Sequence, residues 1–242
     1  MIKKENKGLL SQKIEKEIEA LIKSGKIPVG GRLPTEQMFC EQFSVSRNAI
    51  RPALQSLSAR GLVKIIKGSG VYVNEIDKKC VTEPIHLYLE MSNTEDLMLH
   101  AIHMRQMVEP EVAATAALKR TSIHLEQLEE NLRSMSECPI YNLEEEYELD
   151  RQFHSLVSEA SGNPIVNLLM EPFYKLVSNN RLPVFAKTKE MNTEGEKEVL
   201  MEYHESIINA IREKDGREAY FRMREHLKHT ERNYLKSFTS ED

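Results

Sequence analysis

Asp150 and His154 stand four residues apart in Leu149-Asp150-Arg151-Gln152-Phe153-His154. That is one helical turn, so a carboxylate and an imidazole project from the same helix face. The pair can chelate a divalent ion, although an acid and a histidine at this spacing also make an ordinary surface pair. His204 and His226 each lie eleven residues from Asp215, which falls at the centre of a turn between the last two helical segments. Antiparallel packing would bring both histidines level, about 16 Å from that turn at the usual helical rise. One Asp and three His then suit zinc first, with nickel, manganese and iron also compatible, and leave coordination positions for water or a ligand. The alternative is a set of satisfied polar groups in a helical cavity.

A second constellation lies nearer the N-terminus. Arg47 and Arg51 share one helix face with Asn48 beside them, while Ile50, Leu54 and Leu57 form the opposite face. Arg binds phosphate or the guanine edge bidentately and Asn addresses adenine, so this face has the chemistry to read a major groove. Alone, it could equally be a solvated helix face. The sequence contains no His-Glu-x-x-His, no nucleophile elbow and no phosphate-binding glycine loop. We therefore expect no enzyme activity, with a metalloenzyme fused to a DNA-binding module as the alternative of a different class.

The elements that must position these residues follow from periodicity and punctuation. Leu10, Ile14, Ile18, Leu21 and Ile22 recur at helical spacing until Ser24-Gly25. Thr35 can cap a short helix to about Phe43. After the break at Ser44-Val45, Ser46 can cap a third helix ending at Arg60-Gly61. Leu62–Ile66 and Val71–Val73 are rich in β-branched residues and flank Lys67-Gly68-Ser69-Gly70, the composition of a hairpin. Two short helices, a tight turn and a hairpin make a winged helix-turn-helix, with Lys67, Gly68 and Ser69 at a wing tip able to approach the sugar-phosphate backbone. Pro52 falls inside the reading helix, where it removes a backbone donor, so a local distortion near Asn48 is expected.

Residues 74–83 are polar and aperiodic and read as a linker. Everything beyond reads as helix: one segment from a cap at Asn93 to Lys119, one capped by Ser122 and ending before Cys138-Pro139, and one over Leu143–Ala160. Another starts at Asn163-Pro164, and the last two cover about 196–213 and 217–236. The expected class is mainly α: residues 1–74 as the DNA-binding domain, 75–83 as linker, and 84–242 as an all-helical bundle.

Composition agrees. The chain has 242 residues, 40% hydrophobic and 29% charged, with a formal charge of −5. Residues 1–74 carry 13 basic and 6 acidic side chains, whereas the remainder carries 20 basic and 32 acidic. Only the N-terminal part can attract phosphates. Cys40, Cys80 and Cys138 are odd in number, and the start has no apolar leader, so a reducing cytoplasm is expected, with no membrane partner. His100, His103, His124 and His229 are assigned no role. Glu144-Glu145-Glu146 reads as a solvated face, and the methionines as core fillers.

The ordered strings Gly31-Arg32-Leu33-Pro34-Thr35-Glu36, Val45-Ser46-Arg47-Asn48-Ala49-Ile50-Arg51-Pro52-Ala53-Leu54, Gly61-Leu62-Val63 and Lys67-Gly68-Ser69-Gly70-Val71-Tyr72-Val73 resemble the GntR-type winged helix over residues 9–73. The resemblance implies Arg47 and Arg51 as the principal DNA contacts and Gly68 at the wing tip. Arg32, Thr35, Ser46, Asn48, Lys67 and Ser69 complete the candidate DNA-binding set. The chain departs from the pattern at Gln37, where many relatives carry Arg, and at Pro52, where many carry Glu.

Met104-Arg105-Gln106-Met107-Val108-Glu109-Pro110-Glu111, the Asp150–His154 string with Gly162-Asn163-Pro164, Tyr203-His204-Glu205-Ser206-Ile207 and Arg224-Glu225-His226 resemble the ligand-binding (FCD-type) domain of FadR-type GntR regulators over residues 84–236. This implies Asp150, His154, His204 and His226 as metal ligands and a small organic acid as effector. It also suggests Arg105 as the anchor of the effector carboxylate, against an equally open helix-surface pair of Arg105 with Glu109. The expected protein is a ligand-responsive transcription regulator, read as a repressor, that binds operator DNA as a homodimer. A metal-responsive regulator is the nearer alternative.

Overall fold

In the computed structural model, which describes residues 7–75, 77–92, 95–187 and 194–239, the chain divides into two units, Met1–Val81 and Thr82–Asp242. The first unit holds α1 (Lys7–Lys23), α2 (Glu36–Phe43), α3 (Arg47–Ala59), β1 (Val63–Ile66) and β2 (Gly70–Val73). Ile14 and Ile18 of α1 and Phe39 of α2 meet Ile50, Ala53, Leu54 and Leu57 of α3 in one core. That core fixes which face of α3 turns outward. The Thr35 hydroxyl caps α2 by accepting from the Met38 amide at 3.3 Å. Ser46 is the N-cap residue of α3 in position, but its side chain makes no capping bond.

α3 is an unbroken helix across Pro52, so the expected distortion at Asn48 does not interrupt it. Pro52 and Asn48 are both exposed, and the carbonyl deprived of its intrahelical donor can be satisfied by water.

β1 and β2 pair antiparallel from Val63↔Val73 to Ile66↔Gly70. The Ser69 amide donates to the Ile66 carbonyl at 3.0 Å, and Gly68 at φ +77° occupies the third position of that turn, which demands the left-handed region. The segment before α2 runs along the other edge of β2: Leu33 N donates to Val71 O, and Val73 N to Gly31 O, both at 2.8 Å.

Helix α4 (Lys79–Met91) begins inside the 74–83 stretch read as linker; Cys80 and Val81 in its first turn are exposed, so no buried apolar stripe marks its start. Then follow α5 (Glu95–Lys119), α6 (Ser122–Glu137), α7 (Leu143–Ala160), α8 (Pro164–Lys187), α9 (Glu194–Arg212) and α10 (Gly216–Thr239). The expected cap at Asn93 lies outside the described residues. The cap of α6 is Thr121 rather than Ser122, and it forms a reciprocal capping box with His124. At the start of α8 the Asn163 side chain accepts from the Ile165 amide at 3.1 Å. The α9–α10 turn places Lys214 at φ 57°, and the Asp215 carboxylate caps α10 by accepting from Glu218 N at 2.9 Å.

α5 packs against α7, α8, α9 and α10, most extensively against α10. A helix with four neighbours needs apolar or paired residues around most of its circumference, and Val112, Ala113, Ala116 and Ala117 meet Phe153, Ile207, Ile211, Met223 and Leu227 in the main core. No described helix is long and apolar enough to cross a membrane.

Candidate functional site

Inside the second unit, next to that core, lies a polar cluster shielded from solvent. α7 contributes Asp150 and His154, α9 His204, and α10 His226; all four are buried. One ligand atom from each lies within 4.8 Å of all the others. His226 Nε2 is 3.2 Å from His154 Nε2, and His204 Nε2 is 3.3 Å from Asp150 Oδ1. His154 Nε2 and Asp150 Oδ1 are 3.8 Å apart. Two atoms bound to one zinc at about 2.05 Å are separated by roughly 2.9–3.4 Å for bond angles of about 90–110°. The two shorter separations match the edges of such a coordination polyhedron, and the donor set is one that could hold a divalent transition metal.

Apolar and aromatic packing holds the rings. Phe153 lies 4.2 Å centroid to centroid from His204, and His154 and His226 stack at 5.2 Å. Burial pushes His226 well below the ordinary histidine range, reinforced by His204 and His154. A neutral imidazole is the form that ligates.

Beside these four stand three groups on α5 and α8. Arg105 is 1% exposed; its Nε donates to Glu109 Oε1 at 2.5 Å, and its Nη2 is buried without a hydrogen-bond partner. Glu109 Oε2 in turn lies 2.6 Å from His154 Nδ1. Burial opposes charge on Glu109, yet Arg105 and His154 outweigh it and hold the carboxyl below its usual range. Tyr174 carries its ring 5.5 Å beneath the guanidinium and shares a 2.8 Å hydrogen bond with Ser158. Burial, then Glu109, pushes its phenol well up, so it stays neutral. The Arg105–Glu109 pair read as a possible surface contact is thus real but interior. Ser158 and Tyr174 were not singled out in the sequence; the four-residue spacing of Arg105 and Glu109 was the one available signal for this part of the site.

The remaining five histidines lie elsewhere: His86 is buried on α4 and pairs with Glu90 at 3.1 Å. His103 pairs with Glu231 at 2.8 Å, His124 caps α6, His229 contacts Asn233, and His100 is exposed. Glu144 and Glu145 face solvent, but Glu146 is buried, a correction to the solvated-face expectation. Met98, Met135, Met170 and Met223 are core residues, whereas Met38, Met91 and Met107 are exposed.

In the first unit, Arg47, Asn48 and Arg51 are exposed on α3. Arg47 donates to Gln37 at 2.8 Å, and Arg51 Nε contacts both oxygens of Glu36 at 3.0 and 3.1 Å. Two consecutive α2 residues thus hold the two arginines, by exposed contacts weak enough for phosphate to displace. Thr35 is engaged in capping α2, and Ser46 is exposed at the start of α3. Lys67, Gly68 and Ser69 are exposed at the hairpin tip, with Ser69 bonded to the Tyr72 hydroxyl at 2.7 Å. Arg32 bridges to Tyr72, and its side chain lies over Gly70, where a Cβ would come 2.8 Å from Nε. Gly70 therefore leaves room for a cation beside the wing.

Residues 10–73 match the family model described as "Bacterial regulatory proteins, gntR family", and residues 100–229 match that described as "FCD domain". The HTH-type transcriptional regulator LutR of Bacillus subtilis is 32% identical, covering 87% of this chain and 94% of that protein. The galactonate operon transcriptional repressor of Escherichia coli is 30% identical over 79% of this chain and 82% of its own length. A solved structure titled Streptococcus agalactiae GntR superposes with a TM-score of 0.70 at 25% identity, covering 92% of this chain and 99% of that one.

Proposed function

This chain belongs to the gntR family of bacterial regulatory proteins and carries an FCD domain, so it is a DNA-binding transcription regulator and not an enzyme; on that premise we propose that its helical unit holds a divalent metal, zinc first, and senses a small organic acid beside it. The convergence of Asp150, His154, His204 and His226, buried and within 4.8 Å of one another, carries this assignment. His154 has a carboxylate behind it at 2.6 Å, the outer-shell partner expected of a metal-bound histidine.

Charge explains why the two ligands belong together. With neutral histidines, Arg105, Glu109 and Asp150 leave the pocket one net negative charge, which repels a carboxylate. A bound divalent cation reverses the sign and supplies a Lewis-acidic coordination position. Arg105 then has a buried Nη2 donor for the acid's carboxylate. The galactonate operon repressor among the relatives is named for a sugar acid, which supports both the ligand class and the repressor assignment.

At the DNA end, Arg47, Asn48 and Arg51 read the major groove, and Arg32, Lys67, Gly68 and Ser69 meet the backbone at the wing. Thr35 and Ser46 lie at the starts of the two helices, where hydroxyls and amides can take phosphate. In this scheme residues 1–74 grip the operator, 75–83 connect, and 84–242 bind effector and dimerise, so that two half-sites are occupied together. Effector binding lowers operator affinity through a coupling free energy between the sites.

The test is elemental analysis of the purified protein, followed by thermal denaturation against a panel of hydroxy and sugar acids with and without chelator. One acid should raise the melting temperature in the metal-loaded protein alone and release operator DNA. Stoichiometric metal with no responding acid would argue instead for the metal as signal. Absence of metal binding would remove the assignment altogether.

A further inference from the structure

Between the guanidinium and the histidine cluster stands a single carboxylate. Glu109 is 2% exposed; one oxygen accepts from Arg105 Nε at 2.5 Å, and the other lies 2.6 Å from His154 Nδ1. Since two facing lone pairs would repel, so close an approach of the two atoms is favourable only with a hydrogen shared between them. An ionised carboxylate has none to give, so it belongs to Nδ1. The lone pair of a neutral His154 is then on Nε2, the atom 3.2 Å from His226 Nε2 and facing Asp150.

We propose that Glu109 is a positioning residue that presents His154 to the cation in its ligating tautomer, with Arg105 fixing the orientation of Glu109, so that the anion-binding and cation-binding halves of the pocket share one carboxylate. The proposal rests on the metal-and-acid assignment above, but it makes a statement about the metal-free protein as well. Arg105 can give Nη2 to an acid while Nε stays on Glu109, so occupancy of the anion half leaves the presentation of His154 intact.

A one-atom change tests this. In Glu109→Gln the side chain keeps its size, and Arg105 Nε still requires an acceptor, so the amide oxygen must face Arg105. The amide NH2 then faces His154 Nδ1, which becomes the acceptor, and the ring hydrogen moves to Nε2, where it blocks coordination. Glu109→Asp keeps the charge with a shorter reach and should restore the tautomer in part.

Two measurements on the full chain decide it. Long-range proton–nitrogen correlation spectra of the metal-free protein should place the His154 hydrogen on Nδ1 in the wild type and on Nε2 in Glu109→Gln. Competition with a chromophoric chelator should show zinc affinity weakened about 10- to 100-fold in Glu109→Gln, the usual effect of losing an outer-shell partner, with Glu109→Asp intermediate. A Glu109→Gln protein of wild-type helix content that keeps the Nδ1 hydrogen overturns the proposal, as does a reversed tautomer with unchanged zinc affinity. If the wild type itself binds no zinc, the metal assignment falls, and the spectra alone still decide what Glu109 does to His154.

Discussion

Replacing His204 by Ala should separate a metal centre from a merely polar core. The ring is fully buried, packed 4.2 Å from Phe153, with Nε2 3.3 Å from Asp150 Oδ1, so its loss removes a ligand and leaves a cavity. The cavity costs a few kcal/mol whether or not metal binds. The informative quantity is therefore the difference between loaded and chelated forms of each protein. Metal at about one hundred times its dissociation constant stabilises by about 2.7 kcal/mol. For a unit of this size, each kcal/mol moves the melting temperature by about 2–4 °C, giving a shift of roughly 5–10 °C on chelation of the wild type. His204→Ala should start lower, shift by about 1 °C at most under the same treatment as its site occupancy vanishes, and carry substoichiometric metal after dialysis. Differential scanning fluorimetry and elemental analysis on matched samples read both. A variant that retains one metal per chain and the full shift would refute the ligand assignment.

Arg51→Ala should weaken operator binding about 10- to 100-fold, the worth of a bidentate contact, with fluorescence anisotropy across a salt series separating base from phosphate contact through the slope; unchanged affinity would remove Arg51 from the interface. Pro52→Ala restores an amide donor to the Asn48 carbonyl and should stabilise the first unit by about 1–3 kcal/mol, seen as slower amide exchange across α3. Exchange no slower than in the wild type would mean that water already satisfies that carbonyl fully.

Local regularities made much of this legible. Thr35 and Asn163 could be read as caps because capping depends on the next three residues, and the hairpin because Lys67-Gly68-Ser69-Gly70 supplies the turn that β1 and β2 need. Asp150 with His154, and the symmetric placement of His204 and His226 about Asp215, are also short-range facts that survive folding. What escaped depended on neighbours. Thr121 and Ser122 offer the same hydroxyl one residue apart, and only the capping box with His124 selects between them. Lys79 gives no periodic signal because the apolar Cys80 and Val81 of the first turn of α4 stand at exposed positions rather than on a buried stripe. Glu109 read as a partner for Arg105 on a surface, since nothing within α5 reveals that α7 lies against it.

That buried neighbour also bears on which ligand is the signal. All four ligand side chains are buried in the helical unit, and reaching them requires α7, α9 and α10 to open together around the Phe153, Ile207 and Leu227 core. Local opening of a packed core element approaches the free energy of global unfolding, so an ion held there exchanges slowly and tracks its supply poorly. Arg105 is just as buried, at 1% exposed, so an acid must enter by the same kind of opening; its unpartnered Nη2 donor, however, is a standing cost that an arriving carboxylate relieves. On the proposed assignment, burial slows both ligands alike, and what favours the acid as the signal is the unsatisfied Arg105 donor that it relieves and the cation does not.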